Sequence, residues 1–142
     1  MVAYLDSSVV LRAVLNDDYS IDQARTLPVF SSELLEIECR RAILRDRSIG
    51  LLDDEKFLVA TERLETYLEE MDLIELDPVI KRRAKEAFPV HVKTLDALHL
   101  ATALAITNQG LGDAVTVFSF DQGMNRAARA IGLSAPWYAS LG

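Results

Sequence analysis

The sequence predicts an α/β sandwich built on a mostly parallel sheet, of about 4–5 strands with helices on its faces. Three observations carry that prediction. Short apolar runs rich in β-formers alternate with helical stretches along the whole chain: strand, helices, strand, helices, strand, helices, strand, helix. The opening run, Val2 to Leu5, passes straight into Asp6 and two hydroxyls, as a buried strand entering a helix does. Finally, Leu95 to Ile106 is apolar almost all round, which predicts a central, buried helix. At 142 residues the chain is expected to form one domain over 1–142, long enough to bury a real core.

The elements follow in order. Ser7 or Ser8 is an N-cap for a helix from Val9 to Leu15, and Asn16-Asp17-Asp18 reads as a loop. A short helix is expected over Ile21–Thr26 and a strand over Leu27–Phe30, with Pro28 near its start. Ser31 and Ser32 cap a long helix from Glu33 to Arg47. Gly50 interrupts, and Asp53-Asp54-Glu55 opens a helix with Phe57, Ala60, Leu64 and Leu68 on one face and acids on the other. Leu73–Leu76 is a strand. Asp77-Pro78 pairs an N-cap with proline at the first helical position, and that helix ends before Pro89. Thr94–Asn108 is the buried helix, with Gly110 as its C-cap. Val115–Ser119 is β-branched, and Gln122–Ile131 is a helix closed by Gly132. For the tail two readings stand: a short added strand, or Trp137 and Tyr138 packed on the body.

Composition excludes several classes. No run is long enough to span a membrane, since the most apolar stretch, Ala97 to Ile106, is short and contains His99 and Thr102. The apolar start has no basic leader and is broken at Asp6, so no signal peptide is expected. Cys39 is the only cysteine, which excludes an internal disulfide and fits a reducing, cytoplasmic home. The net charge of −7 argues against a broad nucleic-acid surface. Its distribution softens that: residues 53–77 hold ten acids and two bases, a net of −8, and the remainder is near neutral. The basic clusters at Arg40-Arg41 and Lys81-Arg82-Arg83 read either as soluble helix faces or as phosphate contacts.

Four acids are candidates for chemistry. Asp6 and Asp121 both terminate strands, and a parallel sheet presents all its strand ends on one edge, where ligands bind in open α/β folds. Asp96 lies in the first turn of a helix facing that edge. Glu38 lies mid-helix among Leu34, Leu35 and Ala42, so its carboxylate needs a partner, either Arg41 or a metal ion. The plain alternative for Asp6 is a helix cap. If all four converge within about 6 Å, each pair repels by about 3 kcal/mol at an effective dielectric of ~20. Six pairs reach about 17 kcal/mol, at or above the roughly 5–15 kcal/mol that holds a domain together. Such a cluster wants divalent cations, and oxygen-only ligands favour Mg²⁺ or Mn²⁺ over zinc. His99, three residues after Asp96, reads as a buried, hydrogen-bonded side chain or as a shared ligand. Cys39 reads as core, and no Gly-rich phosphate loop occurs.

Taken together, Leu5-Asp6-Ser7-Ser8, Ser32-Glu33-Leu34 leading to Glu38 with Arg41-Ala42, Thr94-Leu95-Asp96-Ala97-Leu98-His99-Leu100-Ala101, and Ser119-Phe120-Asp121 resemble the PIN-domain ribonucleases, and more narrowly the VapC toxins of toxin–antitoxin pairs. The resemblance covers almost the whole chain, with the motifs in order. It implies a PIN-like three-layer sandwich and a metal-dependent endoribonuclease. Acids matching Asp6, Glu38, Asp96 and Asp121 would hold one or two Mg²⁺ or Mn²⁺ ions and carry catalysis. Hydroxyls matching Ser7 or Ser8 and Ser119 would support those acids. It also implies an RNA substrate, a cognate antitoxin lying along the active groove, and a homodimer. Gln122-Gly123 departs from relatives that often carry a basic or bulky residue after the last acid.

Three rivals differ in class. A PIN-like binding module would use the acidic groove to hold a partner's basic segment. A receiver-like phosphoacceptor needs paired acids after the first strand and a late lysine, but no lysine follows Lys93. A haloacid-dehalogenase-type phosphatase needs an aspartate where Ser8 stands.

Overall fold

The computed structural model describes residues 1–108 and 114–139. Four strands, β1 (Val2–Leu5), β2 (Val29–Ser32), β3 (Asp72–Ile74) and β4 (Val115–Phe118), form one sheet in the order β3-β2-β1-β4. Every pairing is parallel, so all four carboxyl ends share one edge. β1 is central, and its residues match β4 one for one from Val2↔Val115 to Leu5↔Phe118. That register sets Asp6 beside Ser119, the next residue along each strand.

Successive side chains of a strand point to opposite faces, and β1 uses both. Ala3 and Leu5 join a core with Val9 and Val10 of α1 (Ser7–Asn16), Leu35 and Cys39 of α3 (Leu34–Ser48), and Leu64 of α4 (Asp54–Glu69). Val2 and Tyr4 join a second core with Leu100 and Ile106 of α6 (Thr94–Asn108) and Met124 of α7 (Gln122–Ala130). Two apolar cores on opposite faces of a strand buried at every position define the three-layer α/β arrangement that the sequence predicts. A strand covered on both sides reads as a continuous apolar run, as β1 does.

The remaining helices are α2 (Ile21–Ala24) and α5 (Pro78–Ala84). Asp77 caps α5 by accepting from the Ile80 N–H, with Pro78 in the first turn. Some bounds move. Ser31 and Ser32, read from sequence as helix caps, belong to β2, because both are buried and the Ser31 hydroxyl bonds the Leu5 carbonyl at 2.7 Å. Ser32 keeps part of the capping role by accepting from the Leu34 N–H. The expected C-cap at Gly110 lies outside the described residues. In the tail the packing reading holds, with the Trp137 ring on Phe118 and Phe120, whereas the added strand is reduced to a single parallel bridge from Ser134 to Thr116. Among the described residues no helix is long and apolar enough to cross a membrane.

Candidate active site

Asp6 takes the backbone position of an N-cap for α1 (φ −79°, ψ 152°), yet its carboxylate makes no bond to the helix N–H groups. Its Oδ2 instead accepts from the hydroxyls of Ser8 (2.9 Å) and Ser119 (2.7 Å). Both hydroxyls are themselves oriented: Ser8 Oγ accepts from the Phe120 N–H and Ser119 Oγ from the Asp121 N–H. Nothing among the described residues donates to Oδ1. The capping explanation of Asp6 therefore fails on geometry. A buried carboxylate held on one oxygen is left with the other free for a ligand. Ser7, one residue nearer, bonds none of the acids. Its carbonyl meets the Cys39 thiol at 4.0 Å, and Cys39 is a buried core residue.

Asp121 does what Asp6 does not. Its Oδ1 accepts from the N–H groups of Gly123 (2.9 Å) and Met124 (3.3 Å), capping α7. Gly123 eases this approach, since a Cβ there would stand 3.1 Å from that oxygen and press the carboxylate back by a few tenths of an ångström. At the Gln122-Gly123 departure, then, the glycine leaves the cap uncrowded. Gln122 meanwhile pins the tail through the Trp137 carbonyl and the Ala139 N–H. Asn125, one turn on and fully buried, donates to the Ser119 carbonyl at 2.9 Å and braces the end of β4. Sequence reasoning passed over Asn125; its place four residues after Asp121 was the available signal.

Asp96 stands half-buried in the first turn of α6, and no described group donates a hydrogen bond to its carboxylate. Burial pushes its pKa up to about 6, and the negative charges of Asp121 and Asp6 add to the rise against the partial relief of His99 and Lys93. Three of the four candidate acids are thus close enough to feel one another's charge. The fourth, Glu38, is not partnered by Arg41. Its Oε1 lies 2.6 Å from Nε2 of His99, whose Nδ1 lies 2.7 Å from the Tyr4 hydroxyl. His99 is 1% exposed, matching its reading as a buried, hydrogen-bonded side chain. Burial works against its charged form, but Glu38, with Asp6 and Asp96 behind it, outweighs that and raises its pKa.

Most arginines of α3, though not Arg41, pair with acids among the described residues. Arg40 bridges Glu36 (2.7 Å) and Glu65 (2.6 Å), and Arg47 pairs with Asp54. Among the described residues no three His, Cys, Asp or Glu side chains are drawn together tightly enough to form an ion-holding group as they stand. Mutual repulsion of like charges is a sufficient cause. The donor set nevertheless suits a hard cation: Asp96 without donors, Asp6 Oδ1 free, and Glu38 Oε2 free, all carboxylate oxygens.

A parallel sheet whose carboxyl edge gathers strand-end and helix-start acids is the architecture of a known class. The chain belongs to the PIN domain family, whose model matches residues 3–130. It is 31% identical over 136 residues to "Ribonuclease VapC46" of Mycobacterium tuberculosis, covering 92% of this chain and 93% of that protein. Its fold is similar to that in the crystal structure of VapBC2 from Rickettsia felis bound to a DNA fragment from their promoter (TM-score 0.65, 12% identity, 89% and 93% of the two chains). It is similar also to PAE2754 from Pyrobaculum aerophilum (TM-score 0.63, 16% identity, 95% and 90%).

Proposed function

We propose that this protein is a Mg²⁺- or Mn²⁺-dependent endoribonuclease of VapC type, the toxin of a toxin–antitoxin pair, working in the cytoplasm as one PIN unit over residues 1–142. Its partners on this reading are an RNA substrate, a cognate antitoxin and a second copy of itself. Family membership and the ribonuclease relative support the class. The observation that carries the chemistry is Asp96: half-buried, without a hydrogen-bond donor, and its pKa raised to about 6 by burial and two neighbouring aspartates. A structural carboxylate would have found a donor or an arginine.

The roles follow from which oxygens are already used. Ser8 and Ser119 hold Oδ2 of Asp6, so Oδ1 is the ligand atom it offers. Asp96 offers both oxygens. Glu38 offers Oε2, since His99 takes Oε1. Asp121 spends Oδ1 on its helix and keeps Oδ2 to orient water or bind the ion through it. These oxygens would hold a divalent ion, and the chemistry it would supply when bound is a water of lowered pKa, a nucleophile suited to phosphodiester hydrolysis at neutral pH. The acids must also be offset before a phosphate can approach them, because every pairwise term with RNA is repulsive.

The test is incubation with mixed cellular RNA in Mg²⁺, with and without EDTA, beside Asp6→Asn and Asp96→Asn. The expected outcome is cutting abolished by EDTA and reduced at least about 100-fold in both variants, beyond the 10–100-fold typical of residues one step removed from a metal. Circular dichroism should be unchanged. Cutting that survives EDTA or both substitutions overturns the proposal. Partner binding without cutting would favour the binding-module reading instead.

A further inference from the structure

We propose that His99 is a positioning residue: it fixes the Glu38 carboxylate so that Oε2 alone is offered to a divalent cation. The inference deepens the nuclease reading and rests on its assignment of Glu38 as an ion ligand.

The Tyr4 hydroxyl and Nδ1 of His99 share a hydrogen bond of 2.7 Å, and the Nε2–H on the other side of the ring donates to the Glu38 carboxylate at Oε1. Tyr4 lies on β1 two residues before Asp6. His99 lies on α6 three residues after Asp96, one turn along the same helix. Glu38 lies on α3. One imidazole therefore joins the three elements that carry three of the four acids. Tyr4 and His99 are almost wholly buried (1% exposed each), and their rings meet edge to face at 5.8 Å. That packing leaves the ring little freedom to swing, and a locked ring fixes the carboxylate it holds.

Stability alone does not ask for this arrangement. The Glu38 side chain is about one-fifth exposed and has access to water. A charge-assisted bond of 2.6 Å fixes its rotation and removes one of its two oxygens from other use. What remains is a single oriented oxygen. An acid that gathers a cation with Asp6 and Asp96 gains from being aimed before the ion arrives, because the ordering cost is then met in folding. A ring that fixes a ligand from behind is a familiar device of metal sites, and removing one typically costs 10–100-fold in affinity.

The test is Mn²⁺ titration of the whole protein by calorimetry without RNA, comparing two polar replacements. His99→Gln keeps an N–H near the Nε2 position and can still reach Glu38. His99→Asn keeps a polar group near Nδ1, toward Tyr4, but cannot reach Glu38. The positioning role expects Mn²⁺ affinity within about threefold of wild type in the Gln variant and about 10–100-fold weaker in the Asn variant. A merely structural histidine predicts equal affinities, and that result overturns the proposal. If His99→Asn does not fold, Tyr4→Phe decides: weaker Mn²⁺ binding supports the chain of bonds, and unchanged binding overturns it. A wild-type protein that binds no Mn²⁺ sinks both this inference and the nuclease reading. One that binds Mn²⁺ and shows the Gln–Asn contrast but cuts no RNA sinks only the choice of substrate.

Discussion

Two acidic regions of this molecule differ in what surrounds them. Along α4 and its flanks the negative charge is dense, yet much of it is met: Arg25 grips Glu70 with two bonds of 3.0 Å, Arg40 reaches Glu65, and Arg47 reaches Asp54. At the carboxyl edge of the sheet the acids are fewer, and among the described residues no arginine pairs with them. Asp6 is held by hydroxyls, Glu38 by an imidazole, and Asp96 by nothing described. The difference teaches that the density of acids does not mark a site. What marks it is charge kept at least partly buried without an arginine or lysine paired to it among the described residues, which folding tolerates only where something else will answer it.

The sharpest way to break this comparison is to supply the missing charge. Mn²⁺ at about 100 times its Kd should stabilise the protein by about 2.7 kcal/mol, read as a rise in melting temperature. Magnesium should act in the same direction, and Asp6→Asn should suppress the rise. An equal rise in Asp6→Asn would place the binding along α4 instead.

A smaller effect is expected from neutralising Asp96 in the metal-free protein. Its pKa in the folded state, about 6, lies above the ordinary value of 3.8. Between those values the native state holds more protons than the unfolded one, so this group lowers stability as pH rises through that window. The penalty is absent below about pH 4 and complete above about pH 6. Asp96→Asn should therefore melt higher than wild type at pH 7 without metal, and the gain should vanish near pH 4. A variant that melts lower at pH 7 would show the carboxylate to be structural.

The smallest effect belongs to the paired region. Glu70→Gln loses an exposed ion pair and should cost no more than about 1 kcal/mol in urea denaturation. RNA cutting should be unchanged. A large loss of activity there would erase the distinction between the two regions.

How much of this could be read from the chain depends on whether each signal is local. β1, the Asp77-Pro78 start of α5 and the whole span of α6 each rest on a few adjacent residues, and each is observed. The strand-end and helix-start placement of Asp6, Asp96 and Asp121 follows from local pattern plus the rule that parallel strands share an edge. The partner of Glu38 was not legible in the same way. Arg41 is a neighbour along the helix, whereas His99 is 61 positions away, and only tertiary packing brings them together. Ser7 and Ser8 were equivalent on paper. The turn from β1 into α1 separates them, sending Ser8 back onto Asp6. The serines at 31 and 32 misled for a related reason: a hydroxyl that can cap a helix can equally bond a neighbouring strand when burial demands it.

The bond between Asp6 and Ser119 spans 113 positions and ties the first strand to the last. Synthesis runs in chain order, so Asp6 waits through those 113 positions with no β4 to seat it. Asp121 comes later still. Whatever this edge does, no product ending before β4 can do it, because the seat of Asp6 is made only when Ser119 arrives.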